Sequence, residues 1–304
     1  MYRKLNSRDI TPLQIANDVT EALVRNWDAS DVTIATAWPT AFAAMYLSEQ
    51  TLPFYYMQHD EEVFFAPEQT RQRLTCRMTY HLPLHLIANS RWLQEQIKQK
   101  TGKDSLLINH ALANSDIFNI APQEFDSKFA DGKRIKVISY CDRRPFKGWK
   151  YSADAMRLVQ EKHPAVEWVT FGGELPAPGV KVTHLGKISN EKLAAAYKES
   201  RIGLFSSLCE SFPLQPLEMM ACGCATVTTP LGTEAYTRDE ENCLVAQPGD
   251  AQELANKIIL LLNNIPLAKK IAMNGIATSN NFTWADSTRR LLEIIEIAKC
   301  AGRN

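Results

Sequence analysis

Short apolar runs alternate with longer stretches of helical spacing along almost the whole chain, a pattern that predicts parallel α/β sheets. Residues 12–27 place Leu13, Ile15, Ala16, Val19, Leu23 and Val24 at mostly helical intervals. Residues 31–36 read as a buried strand, followed by Trp38-Pro39 and an apolar helix over 40–47. A second strand is predicted over 52–58, ending in His59-Asp60-Glu61-Glu62, a third over 85–90 and a fourth over 105–109. Ser90 is placed to cap a helix over 91–100. The stretch 122–132 is polar and carries Pro, Asp and Gly, so the domain junction is expected there. Beyond it the alternation is more regular, with strands over 135–139, 167–171, 181–184, 202–205, 225–228 and 243–246. Helices are expected over 152–162, 190–199, 216–222 and 250–262, with two more before the C-terminus. Six strands and their helices make a complete Rossmann-like unit. The expected domains are therefore 1–125 and 126–304.

Bulk properties narrow the function without naming it. The 304 residues suffice for two domains, each with a core, and 45% hydrophobic with 22% charged residues is a globular composition. Lys+Arg 34 balances Asp+Glu 34, so the basic field that nucleic-acid binding needs is missing. No apolar run is long enough to span a membrane, and Met1-Tyr2-Arg3-Lys4 does not open a signal peptide, so a cytoplasmic location is expected. The seven cysteines are scattered, and no second Cys or His pair stands at zinc-finger spacing; buried thiols are the preferred reading.

The candidate chemistry centres on 202–223. Ile202-Gly203-Leu204-Phe205 reads as a buried parallel strand, and a proline-punctuated loop then enters a helix near Pro216. Glu210 falls on the loop outside a strand's carboxyl end, where open α/β sheets bind ligands, and Glu218 about one turn into the helix. The helix start suits a phosphate. Two carboxylates and an anion seat at one strand end suit a ligand carrying both hydroxyls and phosphates.

Several motifs in order extend that reading. Glu210 and Glu218 are followed by Met220-Ala221-Cys222-Gly223 and the strand Ala225-Thr226-Val227-Thr228-Thr229. Gly232-Thr233-Glu234, Glu241-Asn242-Cys243-Leu244-Val245, Pro248-Gly249-Asp250 and Phe282-Thr283-Trp284 come next. Upstream stands Arg143-Arg144-Pro145-Phe146-Lys147-Gly148. From about Ile135 to the C-terminus this succession resembles the retaining GT-B glycosyltransferases of family four. The resemblance implies a GT-B fold, two Rossmann-like parallel-sheet domains facing across a cleft. The N-terminal domain looks shortened, since no glycine precedes Gly102 where the family has a glycine-rich loop.

The resemblance also implies roles. Glu218 would accept hydrogen bonds from two ribose hydroxyls; the alternative is a helix-start glutamate serving the dipole alone. Arg144 and Lys147 would hold the donor diphosphate and stabilise charge growing on it, against the alternative of a solvated basic turn. Spacing does not decide between Arg143 and Arg144; the family register favours Arg144. Glu210 would orient the transferred sugar rather than attack it, with departure and attack on one face. Phe212, Pro213 and Leu214 would give backbone contacts, although Pro213 stands where many relatives have Gly and removes one N–H. Gly172-Gly173 makes a tight turn near the nucleotide. His59 matches a family histidine that contacts the sugar, while its acidic neighbours equally suit an exposed loop.

No metal and no cofactor are expected, because GT-B enzymes do not use an Asp-x-Asp metal motif and none is evident. The segments 55–65, 79–80 and 90–93 resemble rhamnosyltransferase-type members that build bacterial surface polysaccharides. The expected function is transfer of a sugar from a nucleotide-diphosphate donor to a glycan or lipid-linked acceptor, with peripheral membrane contact. The alternative is a non-catalytic nucleotide-sugar-binding or scaffold subunit, its first domain completed by a partner.

Overall fold

The computed structural model describes residues 12–130, 132 and 134–301. The chain forms two compact units, one running to Asn109 and taking back the chain from Thr288, the other spanning His110–Ser287.

The first unit contains α1 (Pro12–Arg25), β1 (Val32–Ala35), α2 (Trp38–Tyr46), β2 (Leu52–Met57), α3 (Thr70–Tyr80), β3 (His85–Ala88), α4 (Arg91–Thr101) and β4 (Leu106–Leu107). The strands pair in parallel in the order β1-β2-β3-β4. Successive residues of β2 and β3 serve opposite faces, as the strand period requires. Phe54 and Ile87 pack with Ile108, Ile294 and Ala298, while Tyr55, Met57, Leu86 and Ala88 pack with Leu93 and Ile97. Ser90 caps α4 as expected, its hydroxyl accepting from the Leu93 amide at 3.1 Å.

Two helices were not foreseen. In α3 the apolar residues Leu74, Cys76, Met78 and Tyr80 alternate, a strand-like pattern. The buried positions are instead Thr75, Cys76, Thr79 and Tyr80, at helical spacing, and Leu74 and Met78 are exposed. The second is α5 (Pro122–Lys128), in the polar stretch read as a junction. Pro122 starts it, the Glu124 carboxylate accepts from the Ala121 amide at 3.0 Å, and Phe125 and Lys128 are buried.

The second unit continues with β5 (Lys136–Cys141), α6 (Trp149–Lys162), β6 (Glu167–Gly172), β7 (Val182–His184), α7 (Asn190–Glu199), β8 (Ile202–Leu204), α8 (Leu214–Ala221), β9 (Ala225–Thr228), β10 (Leu244–Val245), α9 (Ala251–Asn263), α10 (Ile265–Ser279) and the start of α11 (Trp284–Ala301). Its parallel sheet has the order β10-β9-β8-β5-β6-β7. Helices α6 and α9 supply Met156, Val159, Leu254 and Ile258 to one core, against Val137, Ile202 and Val227. Helices α7 and α8 supply Ala194, Tyr197, Leu217 and Met219 to the other, against Ile138 and Phe171. The strand order reverses between β5 and β8, so the crevice outside their carboxyl ends is the fold's natural ligand seat.

Candidate functional site

The loops leaving β5 and β8 bring two of the expected residues into contact. Lys147 Nζ lies 2.5 Å from Glu210 Oε1, and the two side chains are only 10% and 8% exposed. The Ser207 hydroxyl donates to the same oxygen at 3.0 Å. The Lys147 ammonium also lies 5.6 Å from the Phe146 ring centre and 5.8 Å from that of Tyr140. A lysine and a glutamate from different loops are thus fixed together at the switch point.

Two close approaches hold these loops. Gly148 has φ +72°, and a Cβ there would lie 1.9 Å from the Ser206 carbonyl oxygen, so only glycine fits. Around it the Ser206 hydroxyl donates to the Gly148 carbonyl at 2.9 Å, and the Leu208 amide to the Phe146 carbonyl at 2.7 Å. Gly232, at φ +80°, passes under the second loop, where a Cβ would meet the Glu210 carbonyl oxygen at 2.5 Å. The Thr229 hydroxyl donates to the Ser207 carbonyl at 2.6 Å from the same side.

Arg144 is engaged differently. Its Nε and Nη2 donate to the two oxygens of Asp142 at 2.9 and 2.8 Å, and its amide donates to Asp142 Oδ1 at 2.8 Å. The Tyr140 hydroxyl donates to Asp142 Oδ2 at 2.8 Å. Burial pushes the Asp142 carboxyl up, but the hydrogen bonds from Arg144 and Tyr140 outweigh it and hold it well below the usual carboxylate range. Arg144 is half exposed on a local turn, and its charge is paired with Asp142 rather than with Glu210.

Helix α8 begins at Leu214, a little ahead of the expected Pro216, and Pro213 stands at its N-cap position. Glu218 is half-buried in that helix. Its Oε2 accepts from the Tyr197 hydroxyl at 3.3 Å. Burial raises its carboxyl to about 7, and the tyrosine hydrogen bond offsets this only in part. The charges of Glu210 and Glu218 both act on the buried Tyr236. Tyr197, Ser207, Asp142 and Tyr140 were not singled out from the sequence. Tyr197 carries no local signal, being one apolar position of an amphipathic helix, whereas Ser207 and Asp142 adjoin the motifs.

Phe212 is buried among Tyr236, Phe282 and His110, and the Tyr236 hydroxyl donates to the Pro213 carbonyl at 2.6 Å, so this segment is anchored from below. Leu214 is half-buried at the helix start. Gly173 follows β6, its amide donating to the Cys141 carbonyl at 2.7 Å beside the Arg144 turn.

His59 belongs to the first unit, immediately after β2. It is 8% exposed, its ring between those of Phe64 and Trp92 at 4.9 and 5.7 Å. The reading of Asp60-Glu61-Glu62 as an exposed acidic loop is wrong, because all three are buried. Lys100 pairs with Asp60 and Glu62, Arg73 and Arg77 with Glu62, and Glu61 accepts from the Trp38 amide and the Tyr55 hydroxyl. Three basic side chains from α3 and α4 neutralise what would otherwise be an unaffordable burial of charge.

Residues 133–264 match the family described as Glycosyl transferases group 1, a span that includes Arg144, Lys147, Gly173, Glu210 and Glu218. The chain is 28% identical over 274 residues to the O-antigen biosynthesis protein RfbC of Myxococcus xanthus, which covers 87% of this chain and 20% of that protein. It is 27% identical over 108 residues to the serotype-specific mannosyltransferase WbdA of Escherichia coli, 36% of this chain and 13% of that one. The chain therefore spans a fifth or less of the length of these two relatives. Among solved structures, sucrose-phosphate synthase from Thermosynechococcus elongatus superimposes with a TM-score of 0.77 over 98% of this chain and 81% of its own, at 18% identity. Anabaena HepE, solved in complex with UDP-glucose, gives 0.71 over 94% and 82%, at 19% identity. These likenesses give the chain a GT-B-like α/β fold. Among the described residues, no helix is long and apolar enough to cross a membrane.

Proposed function

We propose that this chain is a retaining glycosyltransferase that moves a sugar from a nucleotide-diphosphate donor to a glycan or lipid-linked acceptor in cell-surface polysaccharide synthesis. The observation that carries the reading is the Lys147–Glu210 pair, with Glu218 one loop away, at the strand-order reversal of the family-matched span. Lys147 receives the charge that grows on the leaving diphosphate, and Arg144 adds a second cation at the rim. Glu218 accepts from the ribose hydroxyls. Glu210 orients sugar hydroxyls; an oxygen already held by Lys147 and Ser207 is a poor nucleophile. In this scheme the bond from the anomeric carbon to the diphosphate oxygen breaks, the acceptor oxygen attacks from the same face, and its proton passes to the departing diphosphate oxygen. The backbone of Phe212 to Leu214 and Gly173 lines the donor seat.

HepE binds UDP-glucose and RfbC serves O-antigen synthesis by name, which supports a nucleotide-sugar donor and a glycan acceptor here. Rhamnose is the donor sugar suggested by the first-unit resemblance, and the WbdA match adds mannose as its competitor. Incubation with a panel of UDP-, dTDP- and GDP-sugars tests the reading. Release of nucleoside diphosphate together with sugar transfer to a glycan acceptor supports it, and Glu210→Gln should lower that transfer about 100-fold or more. The second reading, a non-catalytic nucleotide-sugar-binding subunit, is favoured by the four-stranded first sheet, which shows no strand-order reversal among the described residues. Donor binding without turnover would select it.

A further inference from the structure

Among the described residues, the Glu218 carboxylate is held from one side only, by helix α7. Helix α7 presents Tyr197, whose ring is fully buried against Phe118 and Phe171 at centre distances of 6.1 and 5.6 Å. The Tyr197 hydroxyl reaches Glu218, while the Tyr197 carbonyl accepts from Lys128 Nζ at 3.1 Å. Lys128, 4% exposed, also donates to the Cys222 carbonyl at 2.6 Å, at the C-terminal end of α8. Two rungs therefore tie α7 to α8, one at the helix ends through Lys128 and one through the hydroxyl that meets the carboxylate. The other titratable groups that feel Glu218 are Cys222 on its own helix and Tyr236 beyond β9, both pushed up by burial and neutral through neutral pH. Among the described residues no lysine or arginine forms an ion pair with it.

We propose that Tyr197 is the positioning residue of the nucleotide site, and that through its hydroxyl the binding of a nucleotide sugar is coupled to release of the Glu218 proton. The inference rests on the ribose role given to Glu218 above. A carboxylate accepts hydrogen bonds from a vicinal diol at both oxygens, whereas the carboxylic acid must spend one oxygen as a donor. With the free carboxyl raised to about 7, much of the unliganded protein carries the proton at neutral pH. Ribose hydroxyls and the tyrosine hydroxyl both favour the ionised form, so binding expels the proton. Affinity then falls as pH drops through the free-protein value and levels off above it.

The experiment is calorimetric titration of the whole chain with UDP-glucose and GDP-mannose from about pH 5.5 to 8.5, in two buffers of different ionisation enthalpy. Neither ligand has a phosphate proton to lose in that range. The expected result is affinity that weakens towards tenfold per pH unit below the midpoint, accompanied by release of up to one proton. In Tyr197→Phe, which keeps the buried ring, the midpoint moves upward while affinity at the high-pH plateau stays within about threefold. Glu218→Gln, on the exposed side of the same contact, removes the pH dependence and serves if the tyrosine variant fails to fold. Binding that is flat across pH, or a midpoint unmoved in both variants, overturns the coupling and leaves the function intact. Failure of both ligands, and of dTDP-rhamnose titrated beside them, to bind at every pH overturns the nucleotide reading and the coupling with it.

Discussion

Both units place charged side chains just beyond the carboxyl end of a buried parallel strand, yet the two clusters are built in opposite ways. After β2, Glu62 accepts five hydrogen bonds from Arg73, Arg77 and Lys100. Burial pushes its carboxyl up, but those bonds outweigh it and lower it to about 2. After β8, Glu210 has one cation and one hydroxyl, and Glu218 a single tyrosine. Among the described residues the first sheet runs β1-β2-β3-β4 without reversal, while the second reverses between β5 and β8. In the sheet without that reversal, the charges after β2 satisfy one another and their work is to hold the chain. At the reversal, carboxylates stand with fewer partners than they can accept, and a ligand can supply the rest.

That contrast can be broken by mutation, beginning with the largest effect. Glu62→Ala strands two arginines and leaves Lys100 only Asp60, and should cost the first unit roughly 2–4 kcal/mol, discounted for the partly exposed cations. Denaturant unfolding measures it. The same carboxylate gives an acid signature: its folded value lies below the ordinary 4.5, so its stabilisation is present above 4.5 and lost as pH falls towards about 2. Next, Gly148→Ala should destabilise the second unit by about 2–3 kcal/mol, since both the backbone angle and the space are denied. It should also abolish donor binding, because the Lys147 loop loses its seat. Glu210→Gln should cost only about 1 kcal/mol or so of stability but lower transfer about 100-fold or more, read from initial rates. Smallest in stability is Glu218→Gln. Its raised carboxyl favours folding while protonated and loses that contribution as pH rises through about 7, so above neutrality the variant should melt at the same temperature or slightly higher. Its nucleotide affinity should nevertheless fall about tenfold.

Much of the architecture was legible because strands buried on both faces announce themselves as apolar runs, and all ten predicted strands are present. Helix α3 was hidden because its outward Leu74 and Met78 mimic a strand while it buries threonines. Helix α5 was hidden because it is short and polar, with one phenylalanine and one lysine inside. At the site, Glu210 and Glu218 stood out by their place beyond a strand end and Lys147 by the family resemblance of its loop, and the structure brings Lys147 and Glu210 into contact. The Arg144 pairing with Asp142 was not foreseeable, since a run of basic residues in a turn does not say which neighbour neutralises which. Nor was Tyr197, whose hydroxyl matters only once α7 lies beside α8. The acidic run after His59 misled for a related reason: its three cations come from helices that begin later in the chain.

The distinction between self-satisfied and unsatisfied charge is tested most directly by one paired titration. UDP-glucose and GDP-mannose are titrated calorimetrically into the unaltered chain, into Lys147→Ala and into Arg73→Ala, each checked for intact folding. The account predicts that Lys147→Ala weakens binding by about 30-fold or more while Arg73→Ala leaves it within about twofold. Equal losses in the two variants, or no loss in Lys147→Ala, would contradict it.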